Sequence, residues 1–280
     1  MIDLVLVWVG IIGLGVLIYV ILDGFDLGIG ILFPFIKDHQ ERDVMMNTVA
    51  PVWDGNETWM VLGGAGLFAA FPLVYSTVLS ALYMPIILMV IALIFRGVAF
   101  EFRFKANKTK HLWDQAFIWG SILSSFLQGV ILGAYIQGIE TTNGIYTGGG
   151  LDWLTPFSLF TGISVVVLYA TLGCGWLIFK TEKMLQNRMF ELMPKLLISL
   201  LMIFVCVSIY TPLAHPQIAE RWFSQPQLFY FSPVPVLVLL FTFLAIKACK
   251  QRKEFLPFIY TLALVILAYT GFLISLLMWF

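Results

Sequence analysis

The chain has 280 residues, of which 60% are hydrophobic and 11% are charged, and its 16 acidic residues balance its 16 basic ones. A mean hydropathy of +0.95 excludes an ordinary soluble domain. Zero net charge, with no block of basic residues, argues against a nucleic-acid partner. The composition therefore predicts a protein that lies mostly within lipid.

Apolar runs long enough to cross a bilayer recur along the whole chain, and backbone that faces lipid must satisfy its own hydrogen bonds. We therefore predict an all-α, polytopic transmembrane helical bundle of about eight helices, forming a single integral membrane domain over residues 1–280. A first bundle region covers about residues 1–179 and a second about 190–280. The predicted spans are, in chain order, Asp3–Leu22, Trp59–Val78, Leu79–Phe95, Trp113–Gly133, Leu154–Phe179, Leu196–Leu213, Val234–Ala248 and Phe258–Met278.

The positions of lysine and arginine predict how the spans are oriented. Of the 16 basic residues, 15 follow the first, third, fifth or seventh span, and Arg221 falls on the other side. Since basic loops stay in the cytoplasm, we expect an outside N-terminus and cytoplasmic basic loops. We expect no removable signal peptide, because the first run has no basic n-region and no small-residue cleavage site.

A cluster of acids lies at the cytoplasmic edge of the predicted spans. Asp23 and Asp26 end the first span, Asp54 precedes the second, and Arg96 closes the third. Ionisable groups beside so much apolar sequence are costly to desolvate and indicate a functional site. Carboxylates that lie close together and partly out of water can hold a proton and pass it on. If the three segments meet, the cluster suits proton handling, with Arg96 holding a carboxylate in place.

Glu57 and Glu101 are weaker candidates in the same region. Charges at the inner ends of helices are often solvated, snorkelling or capping groups, and this is the simpler interpretation of both residues. The functional interpretation is favoured for the three aspartates, because their surroundings are apolar or aromatic.

The cysteines and histidines give no pattern typical of a metal site. Cys174, Cys206 and Cys249 lie in or beside spans without CxxC spacing, which favours small core residues over a disulfide. No histidine pair lies within the spans to hold a haem from both sides, since the histidines fall in loops: His39, His111 and His215. A methionine ligand stays open, although apolar packing is the simpler role for the 11 methionines. We therefore expect no metal and no haem in this chain itself.

Four motifs in fixed order resemble subunit II of the cytochrome bd-type quinol oxidases, and the first is closer in form to the cyanide-insensitive branch. The likeness is densest over the first 105 or so residues and continues, thinner but collinear, through ThrProPhe at 155–157. The motifs are AspGlyPheAspLeuGlyIleGly at 23–30, AlaProValTrpAspGlyAsnGluThrTrp at 50–59, PheAlaAlaPheProLeuValTyr at 68–75 and PheArgGlyValAlaPheGluPheArg at 95–103.

The resemblance implies a heterodimer in the bacterial cytoplasmic (inner) membrane. Subunit I of this family carries two haem b and one haem d, oxidises quinol near the outer face and reduces dioxygen to water. Subunit II is a similar bundle without redox centres or catalytic residues of its own. It supports the haem-bearing subunit I and contributes to proton uptake from the cytoplasm. Small single-helix subunits join some complexes, and some members hold a quinone in subunit II as a structural lipid.

The same resemblance assigns roles to individual residues. Asp23 and Asp54 would line the proton pathway, Asp26 and Arg96 would support the haem-bearing interface, and Trp53 would pack beside the entrance. Family chains usually have nine helices, as two four-helix bundles plus a peripheral helix. Since this sequence stops at Phe280, we expect a short form, a truncated chain, or a last span supplied by another polypeptide.

Two other functions compete with this interpretation. A proton-coupled secondary transporter would also use carboxylates, but transporters often place them near the bilayer midplane within repeated halves. Here the acids lie at the inner edge, and the second half has no clear repeat of AspGlyPheAsp or TrpAspGlyAsn. A purely structural assembly subunit would tolerate neutralisation of Asp23 or Asp54 without loss of turnover.

Overall fold

The computed structural model describes residues 4–214, 216–225, 229 and 232–277. Apart from a short 3₁₀ turn (Phe33–Phe35) and a hairpin of two strands, β1 (Thr141–Thr142) and β2 (Ile145–Tyr146), the regular structure described is helical. The helices are α1 (Leu4–Leu32), α2 (His39–Asn47), α3 (Trp53–Ala70), α4 (Pro72–Arg103), α5 (Lys110–Gln137), α6 (Pro156–Lys180), α7 (Lys183–Ala214), α8 (Pro216–Phe223), α9 (Pro233–Lys250) and α10 (Leu256–Leu277).

Seven of the described helices are long and apolar enough to cross a membrane: α1, α4, α5, α6, α7, α9 and α10. The predicted all-α membrane bundle is therefore confirmed, and the chain is a multi-pass membrane protein. Helix α3 is more polar, because its first two turns carry Asp54, Asn56 and Glu57. It nevertheless runs antiparallel to α1, with Gly66 against Ile12 and Asn56 bonded to Asp26. By this packing α3 lies alongside the spanning helix α1.

The predicted boundary between the second and third spans was wrong. We expected the break after Val78, but α3 ends at Ala70 and α4 begins at Pro72, with Phe71 alone between them. Proline has no backbone N–H to donate and disfavours a helical conformation in the residue before it. Phe71 accordingly leaves the helical region (φ −136°, ψ 61°). The apolar run continues across this turn, which hides it from a hydropathy pattern.

The described chain divides into two compact units, Met1–Gly173 and Cys174–Phe280. In the first, α4 packs along α5 and α1 packs along α3 and α5. Gly28 of α1 lies so close to the backbone of Tyr169 on α6 that a methyl group there would overlap it. This close crossing brings the middle of α6 against the end of α1.

In the second unit, α9 packs against both α7 and α10. Cys174 and Cys249 are buried and free, as core residues would be, whereas Cys206 is exposed on α7, so the expectation of a core position was wrong for that residue. His215 and the last residues of the predicted eighth span, including Met278, lie outside the described residues.

Candidate functional site: a buried arginine among carboxylates

The site is built around Arg96 on α4, whose side chain is 0% exposed. At this level α4 and α5 approach closely, because a Cβ on Gly120 of α5 would lie 2.9 Å from the backbone nitrogen of Arg96. The guanidinium extends towards α1 and α3.

Three carboxylates from two helices face this guanidinium. Nη2 of Arg96 lies 3.4 Å from Oδ1 of Asp23 and 3.7 Å from Oδ2 of Asp26, both on α1. Nη1 donates to Oε1 of Glu57 on α3 at 2.5 Å. Asp23 and Asp26 are buried, while the Glu57 side chain is 24% exposed. The three sequence-distant segments thus do meet, and Asp23, Asp26 and Arg96 come together. We call Arg96 and these three acids the Arg96 site.

Two further α3 residues complete the surroundings. The Asn56 amide donates to Oδ2 of Asp26 at 2.7 Å. The Trp53 ring stacks on Phe100 with centroids 4.9 Å apart, and the Arg96 guanidinium carbon lies 5.3 Å from the Trp53 centroid. Aromatic faces attract a guanidinium, so these rings help to hold Arg96 where the acids can reach it.

The Arg96 site carries more acid than its one cation can neutralise. When all groups are ionised, three carboxylates face one guanidinium, an excess of two negative charges. Among the described residues, neither oxygen of Asp23 accepts a hydrogen bond, and Oδ1 of Asp26 also lacks a donor. Buried charge without partners is costly, and a carboxylate removes that cost by binding a proton. The arrangement can therefore take up and release protons.

Two of the predicted residues lie outside this site. Asp54 is exposed in the first turn of α3, and among the described residues Arg96 pairs with Asp23, Asp26 and Glu57 instead. Glu101 is also exposed and lies 3.4 Å from Lys105, one turn along α4. Glu57, which the sequence analysis ranked below the aspartates, is instead the acid closest to Arg96.

A second ionic cluster, which was not predicted from the sequence, lies two turns further along α4. Asp114 of α5 is buried and accepts from Arg42 at 2.8 Å and from Arg103 at 2.5 Å. Asp43 of α2 accepts from Arg103 at 2.6 Å and is 2.9 Å from Lys110. We call these five residues the Arg103 network. The missed signal was the buried aspartate in TrpAspGln, one of few charges inside an apolar segment.

Asp43 shows how strongly this network favours ionised acids. Partial burial opposes its ionisation, but hydrogen bonds from Lys110 and Arg103 and their positive charges outweigh that effect. The pKa of Asp43 consequently lies below its ordinary value. The network is a set of fixed charges that ties α2 to α4 and α5.

A third polar feature was also missed. The Gln128 amide nitrogen on α5 donates to the Tyr19 hydroxyl at 2.7 Å, and the Tyr169 hydroxyl donates to the Gln128 carbonyl at 2.8 Å. Tyr19 precedes Asp23 by one helical turn. The spacing of Tyr19 and Asp23 was visible in the sequence, but the partners on α5 and α6 depend on the packing.

A family model described as "Cytochrome bd terminal oxidase subunit II" matches residues 4–279. The chain belongs to this family. The resemblance inferred from the four motifs is therefore confirmed, and with it the chain's membership of a family of respiratory oxidase subunits.

Individual relatives agree with this family. "Probable cytochrome oxidase subunit 2" of Haemophilus influenzae is 34% identical over 176 residues, covering 59% of this chain and 46% of that protein. "Cytochrome bd-I ubiquinol oxidase subunit 2" of Escherichia coli K12 is 33% identical over 194 residues, covering 65% and 50%. "Cytochrome bd ubiquinol oxidase subunit 2" of Bacillus subtilis is 31% identical over 238 residues, covering 83% and 68%. The chain spans about half the length of the first two of these relatives.

A solved structure shares the fold. The bd oxidase from Geobacillus thermodenitrificans contains a chain that matches with a TM-score of 0.81 at 17% identity. The match covers 98% of this chain and 84% of that one.

Proposed function

We propose that this chain is subunit II of a cytochrome bd-type quinol oxidase, a complex that oxidises quinol and reduces dioxygen to water. In this proposal the chain supports a haem-bearing subunit I and delivers protons from the cytoplasm. The observation that carries it is the Arg96 site, in which Asp23, Asp26 and Glu57 outnumber the guanidinium that faces them. Family membership supplies the reaction that would consume the protons.

The proton route follows from exposure and charge. Glu57 keeps part of its side chain exposed and touches Arg96, so it connects the buried aspartates with the outside of the chain. Asp54, in the preceding turn of α3, is the exposed acid from which protons would approach. The basic residues between α4 and α5 and beyond α6 support a cytoplasmic position for this end of the bundle, because basic loops tend to stay in the cytoplasm. Proton uptake would then occur on the cytoplasmic side of the inner membrane.

The haems belong to the partner subunit in this proposal. The two histidines that the structure describes do not fit an axial pair, because the His39 side chain is 65% exposed and His111 is exposed at the start of α5. In this proposal the interface with the haem-bearing subunit is supported by Asp26, Arg96 and Trp53.

The first experiment is a reduced-minus-oxidised visible spectrum of the complex that co-purifies with this chain in mild detergent. We expect b-type haem bands, a red-region band from haem d and a second large membrane subunit. A colourless complex, even after crosslinking within the membrane, would overturn the oxidase proposal and favour the proton-coupled transporter.

The second experiment tests the proton route. Asp23→Asn should lower oxygen consumption per haem by an order of magnitude or more, since a positioned proton donor typically contributes at least that much. Glu182→Gln is the matched control, because Glu182 is an exposed acid between α6 and α7. Equal turnover in Asp23→Asn and wild type would instead support a purely structural subunit.

A further inference from the structure

A buried chain of hydrogen bonds joins three helices beside the Arg96 site. It runs from Tyr169 on α6 through Gln128 on α5 to Tyr19 on α1. Both tyrosines are buried, and Gln128 is partly buried in an otherwise apolar stretch of its helix. Polar groups at such positions are costly unless paired, so this arrangement needs a structural or functional explanation.

The Gln128 amide fixes the direction of these hydrogen bonds. A glutamine carbonyl only accepts hydrogen bonds and its NH₂ group only donates them. Because Tyr169 donates to the carbonyl, the NH₂ group faces Tyr19, and the Tyr19 oxygen acts as an acceptor. The hydroxyl proton of Tyr19 is then not used by Gln128 and is left for another acceptor.

Asp23 provides the missing acceptor. It lies four residues after Tyr19 on α1, and residues at this spacing are neighbours on one helix face. Within the described chain, neither carboxylate oxygen of Asp23 accepts a hydrogen bond. The Tyr19 hydroxyl proton, which Gln128 does not use, and the Asp23 carboxylate therefore lie one turn apart on α1, and both residues are buried.

We propose that Tyr19 is a positioning residue for Asp23, held by Gln128 and Tyr169 so that its hydroxyl donates to the carboxylate when Asp23 releases its proton. The amide also limits where protons go, since a glutamine side chain has no readily exchanged proton to pass on. Tyr169 therefore lies outside the proton route, and protons that leave Asp23 do not reach α6 through these hydrogen bonds. This inference rests on the proton route proposed above.

Several groups act on Asp23, and those that a variant does not replace must stay unchanged in that variant. Arg96 of α4 favours the ionised carboxylate, whereas the neighbouring acids oppose it. Among the described residues, the charged and titratable groups that interact with Asp23 are Arg96 of α4, Asp26 and Tyr19 of α1, Glu57 of α3 and Tyr169 of α6.

The test is an infrared pH titration of the purified complex, in which the protonated carboxyl band of Asp23 is identified by its loss in Asp23→Asn. In Tyr19→Phe the titration midpoint should rise by about one pH unit, because one charge-assisted hydrogen bond to the ionised form is lost. Gln128→Met should produce a smaller rise, since Tyr19 remains but is no longer oriented. Tyr169→Phe should produce the smallest rise, and Tyr83→Phe, an exposed tyrosine on α4, none.

An unchanged midpoint in an assembled Tyr19→Phe complex would overturn the proposal, as would a wild-type complex without a titrating Asp23 band. If the Tyr19→Phe complex does not assemble, Gln128→Met becomes the deciding variant. An unchanged titration midpoint in that variant would also overturn the proposal. The readout does not depend on turnover. Normal oxygen consumption in Asp23→Asn would therefore reject the proton route separately, whatever the infrared result.

Discussion

The Arg96 site and the Arg103 network use the same chemical groups for opposite purposes. Arg96 and Arg103 are two helical turns apart on α4, which puts them on one face and separates them by roughly 10 Å. In the Arg103 network, three cations face two acids, and both acids are fully engaged. In the Arg96 site, one cation faces three acids, and several acid oxygens lack donors.

This difference shows how one helix face combines a fixed anchor with a titratable site. An arginine cannot shed its proton in a protein, so the two arginines of the Arg103 network stay charged at every accessible pH. A carboxylate-rich cluster adjusts its charge by binding protons. The ratio of acids to cations, more than burial, distinguishes the two regions, and the following variants test that distinction.

Asp114→Asn should produce the largest loss of stability. Among the described residues, it removes the carboxylate that Arg42 pairs with and leaves the fully buried Arg103 with Asp43 as its negative partner. Breaking a buried pair in this way typically costs about 3–5 kcal/mol. Thermal unfolding of the purified complex measures the loss. Glu101→Gln, which breaks an exposed pair with Lys105, is the control and should cost at most about 1 kcal/mol.

Arg96→Leu should cost less than Asp114→Asn, and its cost should shrink in acid. The stranded groups are carboxylates, which lose their charge by protonation, whereas the arginines stranded by Asp114→Asn cannot. We expect a lower unfolding temperature and reduced haem content at neutral pH, with the unfolding temperature approaching that of wild type as pH falls. If the unfolding temperature of Arg96→Leu lay below that of wild type by the same amount at neutral and at acid pH, the proposed contrast between the two regions would be contradicted.

Asp54→Asn should slow oxygen consumption less than Asp23→Asn does, by less than about tenfold. Asp54 is exposed and lies outside the Arg96 site, so nearby water can replace it as a proton source. Turnover per haem in the two variants provides the measurement. An equal loss in both would mean that Asp54 is an obligatory entry point.

The smallest effect is expected at Asp43. Its folded-state pKa is lowered, so its ion pairs stabilise the protein above the ordinary aspartate value of about 4 and lose that contribution as pH falls through the lower folded value. Because the side chain is one-third exposed, the contribution is about 1 kcal/mol or less. The unfolding temperature of Asp43→Asn should therefore be less dependent on pH in this acid range than that of wild type. Parallel pH curves would contradict the assignment.

The sequence predicted the membrane bundle and three members of the Arg96 site, because hydropathy and isolated charges are local signals. Glu57 was ranked below the aspartates, because the sequence around a glutamate at a helix end is the same whether the side chain is solvated or paired with another helix. The Arg103 network and the Tyr19–Gln128–Tyr169 chain could not be predicted, because their partners lie 72, 109 and 41 residues apart and depend on helix packing. The turn at Phe71 was misplaced because apolar residues continue through it.

Helix α3 has a consequence for how the chain is made. Its early polar residues make it a poor substrate for insertion on its own, since each charged residue within a span is costly to transfer into lipid. The long apolar α4 follows after a single residue, Phe71. The two helices would then enter the bilayer together as a hairpin, with α4 driving insertion. Insertion of the helix that carries Glu57 would thus depend on a segment synthesised after it.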